Sequence, residues 1–202
     1  MRCSIRLTIL AMVLAMLLLS GCGGSRQEQE SPAGTAAAPP PAPVKVAIAE
    51  LTALGESGVR GRVVFTEQAG KLRVEADVTG LSPGEHGFHV HEFGDCSAPD
   101  GTSAGPHFNP QDMPHAGPDS PEAHAGDLGN ITADANGRGV LTLSTDRITL
   151  DSGPNSVLGR GVIVHASQDD LMTQPTGAAG ARLACGVIKL QGGETTPVLP
   201  PT

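Results

Sequence analysis

Leu72-Arg73-Val74-Glu75-Ala76-Asp77-Val78 alternates apolar and charged side chains without a break. Successive side chains of a strand leave opposite faces. The stretch therefore predicts a β-strand with Leu72, Val74, Ala76 and Val78 facing a core and Arg73, Glu75 and Asp77 in water. The same period recurs on either side. Val44, Val46 and Ile48 alternate with Lys45, Ala47 and Ala49, and Gly61 to Thr66 is a short β-branched run. Asn136-Gly137 lies between Ile131-Thr132 and Val140 to Leu143, which signals a hairpin turn. Gly161 to His165 and Gly186 to Leu190 read as further short strands. No segment sustains a helical period. Many short strands punctuated by Gly and Pro predict an all-β chain folded as an antiparallel sandwich or barrel. With four Phe and no Trp or Tyr, its core must be built from Val, Ile, Leu and Ala.

One stretch departs from this pattern. From Gly94 to Gly126 there is no periodicity and much Gly and Pro, and so long a loop inside a compact domain needs something to order it. It carries Cys96, His107, His115 and His124. His89 and His91, just before it, are two residues apart in a predicted strand, so their imidazoles share one face. His165 ends another predicted strand and can face that pair. Three imidazoles and a carboxylate (His107, His115, His124, Asp127) form a closed four-ligand set that suits zinc. The all-imidazole set of His89, His91 and His165 suits copper. His107 can serve either group, and six histidines with one aspartate for two metals imply one shared ligand. A lone histidine is more often a surface residue than a ligand, and for His115 by itself that reading prevails; for six together it does not. His86 lies at odd spacing from His89 and His91. It is expected on the opposite face, partly exposed.

The ends of the chain are expected to lie outside the domain. Arg2 and Arg6 precede an apolar run from Leu7 to Leu19, too short for a comfortable membrane span and laid out like a secretion signal. Leu19-Ser20-Gly21-Cys22 resembles a bacterial lipobox. The expected organisation is a signal peptide over 1–21, a lipidated Cys22 opening an Ala/Pro-rich tether over 22–43, one domain over 44–191 and a disordered tail over 192–202. This places the protein in the cell envelope, lipid-anchored on the periplasmic side of a bacterial membrane or at the cell surface. Gly23 favours the outer membrane. Only Cys96 and Cys185 then remain, and one pair in an exported protein predicts one disulfide. Closing a loop of that length is worth about 4–5 kcal/mol in the chain-entropy model. The net charge of −8 argues against a nucleic-acid partner. Loss of Arg2 and Arg6 with the leader makes the charge two units more negative.

Gly87 to Gly94, Thr102 to Pro110, His124 to Asn130 and Arg182 to Ile188 together resemble the copper–zinc superoxide dismutase family, over about Val44 to Leu190. The resemblance implies a Greek-key β-barrel of about eight strands with long metal-binding loops. It implies copper on His89, His91, His107 and His165, and zinc on His107, His115, His124 and Asp127, with His107 bridging. It also implies a Cys96–Cys185 disulfide. Asp169 matches a carboxylate that ties a copper-site His to a zinc-site His from outside the metal shell. Arg182 matches the arginine beside the copper channel, a fixed charge for a small anion. The implied activity converts superoxide anion to oxygen and hydrogen peroxide by copper redox cycling, with His107 also carrying a proton and zinc redox-inert. The alternative is a copper- and zinc-binding lipoprotein without dismutase activity. A homodimer is left open: apolar strands near Val162 and Val187 offer a surface, and Lys189 counts against it.

Overall fold

A computed structural model describes residues 44–201. The expected signal peptide, Cys22 and the tether lie outside the described residues. Nine antiparallel strands form the domain: β1 (Val46–Ala53), β2 (Arg60–Gln68), β3 (Lys71–Thr79), β4 (Gly84–His91), β5 (Asp127–Ala133), β6 (Gly139–Thr145), β7 (Gly161–His165), β8 (Arg182–Val187) and the two-residue β9 (Lys189–Leu190). They pair in the order β2-β3-β6-β5-β4-β7-β8-β1-β9, and β1 also pairs with β2, which closes eight strands into a barrel. The β3–β4 and β6–β7 connections each skip two strands, and those skips are the Greek-key crossings.

The stretch Leu72 to Val78 sits in β3, with Leu72, Val74, Ala76 and Val78 buried, as its alternation predicts. It is flanked by β2 and β6 along its length. On its outer face Asp77 accepts two hydrogen bonds from the Arg138 guanidinium, at 2.9 and 2.7 Å. β1 keeps the period but not the expected assignment by size. Ala47, Ala49 and Leu51 face inward, and Val46 and Ile48 lie half-buried outside. The register explains this: Ala47 sits opposite Phe65 and Ala49 opposite Val63, so small residues make room for large ones across the core. The hairpin at Asn136-Gly137 forms as a wider turn. The ladder ends at Ala133–Gly139, and Asp134 caps the amides of Asn136 and Arg138.

Two segments need correction. The tail after Gly192, expected to be disordered, is held to the barrel at Val198. Val198 accepts from the Gly94 amide at 2.6 Å and donates to the Gly159 carbonyl at 2.7 Å. A tail of Pro and small residues has no alternation to announce such pairing. Val162, proposed as a dimer surface, is fully buried inside the barrel beside Val90, so it offers no contact to another chain.

β4 is where the fold prepares a site. Its inner face places Phe88 and Val90 in the core, and on its outer face His89 and His91 are also fully buried. The cover comes from the loop after Gly94, pinned to β8 by the Cys96–Cys185 disulfide, and from the loop after His165. The cover is close: a Cβ at Gly126 would stand 2.3 Å from the Val90 carbonyl oxygen.

Deleting the chain after Gly193 removes the two Val198 backbone hydrogen bonds. It should destabilise the domain by about 1–3 kcal/mol, read as a lower urea midpoint. An unchanged midpoint would show that the tail contributes nothing to the fold.

Candidate metal centre

The structure brings together all seven residues singled out for metal. They fall into two sets of four, His89, His91, His107 and His165, and His107, His115, His124 and Asp127. Within each set one donor atom per residue lies within 4.8 Å of the others, every residue is buried, and His107 belongs to both. β4 supplies His89 and His91, the end of β7 supplies His165, the loop between β4 and β5 supplies His107, His115 and His124, and Asp127 opens β5. The rings of His89 and His107 stack at 4.0 Å between centroids, and those of His91 and His165 at 5.5 Å.

Four of the six rings have one nitrogen tied outward. His89 Nε2 meets the Asp169 carboxylate at 2.7 Å, and His115 Nε2 meets its other oxygen at 2.9 Å. His91 Nδ1 meets the Gly105 carbonyl at 2.9 Å, and His165 Nδ1 meets that of Gly180 at 3.2 Å. The inward nitrogens are left over. His89 Nδ1, His107 Nε2, His115 Nδ1 and His124 Nδ1 are buried without a hydrogen-bond partner. Nδ1 atoms of His107, His115 and His124 crowd around the Asp127 carboxylate at 2.9, 3.1 and 3.2 Å. Of these only His107 is aligned for a hydrogen bond. Buried polar atoms are almost always paired. Several unpaired nitrogens gathered in two sets, with four of the six rings held from behind, fit a pair of cations. The set with a carboxylate has the donors zinc takes, and the all-imidazole set suits copper.

The sequence model of the family "copper/zinc superoxide dismutase (SODC)" matches residues 59–188. The chain belongs to this family. A solved structure, described as the clock protein EA4, is similar: 45% identical over 71% of this chain and 93% of its own, with a TM-score of 0.65. In this dismutase-family domain the Cys96–Cys185 disulfide stands next to Arg182. The Arg182 guanidinium is half-buried and donates to the carbonyls of Gly101 at 2.6 Å and Gly105 at 2.7 Å. The Gly105 carbonyl thus serves both Arg182 and His91.

Burial dominates the electrostatics. It pushes His165 down to about 3 and His107 to about 4, and the positive charges of neighbouring groups add to the effect. His91 is driven well below its ordinary value by the same burial, with contributions from His107 and Arg182. These rings are neutral at physiological pH, the form that binds metal. Burial also opposes charge on His115, but Asp127 and Asp169 outweigh it and raise the ring to about 9. Burial raises Asp127, yet the close ring nitrogens of His107, His115 and His124 hold it far below the usual carboxylate range.

His86 does not fit its expected exposure. It points away from the metal pair, but it is only 1% exposed. Its Nδ1 meets the His165 carbonyl oxygen at 2.8 Å and its Nε2 meets that of Ser82 at 2.9 Å. It faces the barrel interior opposite Ile131, so alternation gave the face and not the burial. Sequence reasoning also missed the supports of the outer carboxylate and rings. Asn130 clamps Asp169, donating to its carbonyl and accepting from its amide, both at 2.8 Å. The Gln174 side chain brackets the His115 backbone in the same way. Gly177 has φ +65°, and a Cβ there would fall 1.7 Å from Asp169 Oδ1. Asn130 lies inside a recognisable motif, but the other supports join distant segments and leave no local signal.

Two outcomes follow from this geometry. In the metal-free protein the depressed imidazoles take up protons more readily once unfolded. Stability should therefore fall as pH drops from about 6.5, their unfolded value, through about 4 to about 3. The buried carboxylates lose their contribution lower in the same descent. His115 works oppositely, its contribution being full below about 6.5 and gone above about 9, and it is outnumbered. Urea midpoints at several pH values between neutrality and 4 check this, and a flat profile would refute it. Asp127→Asn should cut zinc retention by about 10-fold or more while copper remains; unchanged zinc on elemental analysis would remove Asp127 from the set.

Proposed function

We propose that this domain is a superoxide dismutase of the cell envelope, with His89, His91, His107 and His165 holding copper and His107, His115, His124 and Asp127 holding zinc. The observation that carries the reading is the set of buried histidine nitrogens without partners, two of them on rings fixed from outside by Asp169, with Arg182 held by the same carbonyl that faces His91 of the all-imidazole set. When bound, copper supplies one-electron oxidation of one superoxide and one-electron reduction of the next, giving oxygen and hydrogen peroxide with two protons consumed.

The chain's own groups do the remainder. Arg182 presents a guanidinium whose orientation is set by two carbonyls, a fixed positive charge and hydrogen-bond donor for a small anion. The depressed values of His91 and His165 keep protons from competing for their Nε2 atoms. His107 belongs to both sets, and with Nε2 free and Nδ1 held by Asp127 it can carry a proton on Nε2. Zinc in the second set is structural, because it has no accessible redox change. Export and a lipid anchor at Cys22 belong to the same proposal. They would place the enzyme where superoxide meets the envelope, on the periplasmic side of the outer membrane.

The structural neighbour described as a clock protein keeps a second reading in view, a metal-holding domain without turnover. Stopped-flow decay of superoxide on the copper- and zinc-loaded protein separates the two, and metal bound without accelerated decay would favour the second. Arg182→Ala should lower the rate by about 10-fold or more while elemental analysis finds both metals still bound. A rate equal to that of the parent would end the role given to Arg182.

A further inference from the structure

The Arg182 guanidinium is the half-buried cation beside the imidazole set, and what surrounds it decides how an approaching anion is received. Its two hydrogen bonds run to the carbonyls of Gly101 and Gly105, on the loop pinned by Cys96. Gly101 also lies against the arginine stem, since a Cβ there would stand 3.1 Å from Arg182 Cδ. The residue before Gly101 is Asp100. Its carboxylate is exposed but not free to wander. One oxygen accepts from the Thr102 amide at 3.0 Å and from the Thr102 hydroxyl at 2.7 Å. Its charge bears on Arg182 and the charge of Arg182 bears on it.

Other nearby carboxylates are turned elsewhere. Asp95, on the same loop, receives the Ser97 amide at 2.8 Å, and Glu92 is paired with Arg160 at 2.8 Å. No hydrogen bond joins Asp100 to the guanidinium, so it does not hold the arginine in place; the two glycine carbonyls do that. The loop from Asp170 to Ala181 carries no Lys or Arg to offset it.

Resting on the dismutase reading above, we propose that Asp100 is a rate-setting residue of the anion path. Its immobilised carboxylate offsets part of the Arg182 charge and restrains capture of superoxide and of any other small anion. Thr102 fixes the distance at which it acts. The effect is through space, so it must fade as salt screens it.

Asp100→Asn tests this. The amide keeps an oxygen for the Thr102 amide and hydroxyl, so the loop retains its caps and only the charge is lost. Two quantities are followed on copper- and zinc-loaded protein, the second-order rate of superoxide decay and the affinity for azide, a monovalent anion titrated through the copper visible band. Removing one unit of like charge near the path should raise both by about two- to threefold at about 10 mM ionic strength, and the gain should shrink toward unity at about 0.3 M. Asp146→Asn, across the barrel at the end of β6, removes the same net charge and should leave both quantities unchanged. No gain at low salt, a gain that salt does not reduce, or an equal gain in Asp146→Asn would overturn the proposal. If the parent protein shows no dismutase activity, the functional reading fails and the azide arm alone decides the role of Asp100.

Discussion

A single buried carboxylate ties the centre together. Asp169 is completely buried, and an ion in that position is costly unless its oxygens are paired. One oxygen is satisfied by His89 from strand β4, the other by His115 from the loop between β4 and β5. The Leu171 amide, on the loop after His165, adds a third donor at 2.7 Å. The barrel, the loop that carries His107 to His124 and the loop after His165 must therefore all be in place before this charge is compensated. Asn130 at β5 holds the Asp169 backbone by its amide and its carbonyl, so the carboxylate has little room to rotate toward one histidine at the expense of the other. Two metal-sized pockets built on different parts of the chain become one cooperative object through it.

This coupling explains what was legible in the sequence. Strand alternation at Leu72 to Val78 requires only local information, and the barrel follows from several such runs. The H-x-H pair at His89 and His91 is equally local. The placement of Ala47 and Ala49 inward is not, because it depends on Phe65 and Val63 arriving opposite. The burial of His86 depends on Ser82 and on the His165 carbonyl. The Asn130, Gln174 and Gly177 supports depend on segments that meet only when both loops close. The tail was misread for the same reason: Val198 has no partner until Gly94 and Gly159 are side by side. Features set by neighbours in sequence could be read, and features set by closure could not.

A strongly anionic chain proposed to receive an anion looks contradictory until the charges are located. Many carboxylates on the barrel surface already face cations: Asp77 with Arg138, Glu75 with Arg73, Glu50 with Arg62, and Asp151 and Glu67 with Lys45. Exposed charges farther than about 8–10 Å are largely screened at ordinary salt. The field met by a small anion near the imidazole set is then decided by the few groups within that distance. The imidazoles there are neutral because burial keeps them so, which leaves the half-buried guanidinium of Arg182 and the Asp100 carboxylate near it as the charges that matter.

The position of that guanidinium is over-determined. Its backbone belongs to β8, three residues before Cys185, and its head is bonded to the loop that Cys96 joins to the same strand. The covalent link and the two hydrogen bonds therefore close a short circuit around one side chain. The Gly105 carbonyl extends the circuit, since it accepts from Arg182 at 2.7 Å and faces His91 Nδ1 at 2.9 Å. A shift of the loop would move the Arg182 guanidinium and turn a candidate metal ligand together. The proposed anion site and the candidate metal site thus share one backbone oxygen, and the disulfide that holds the loop acts on both at once.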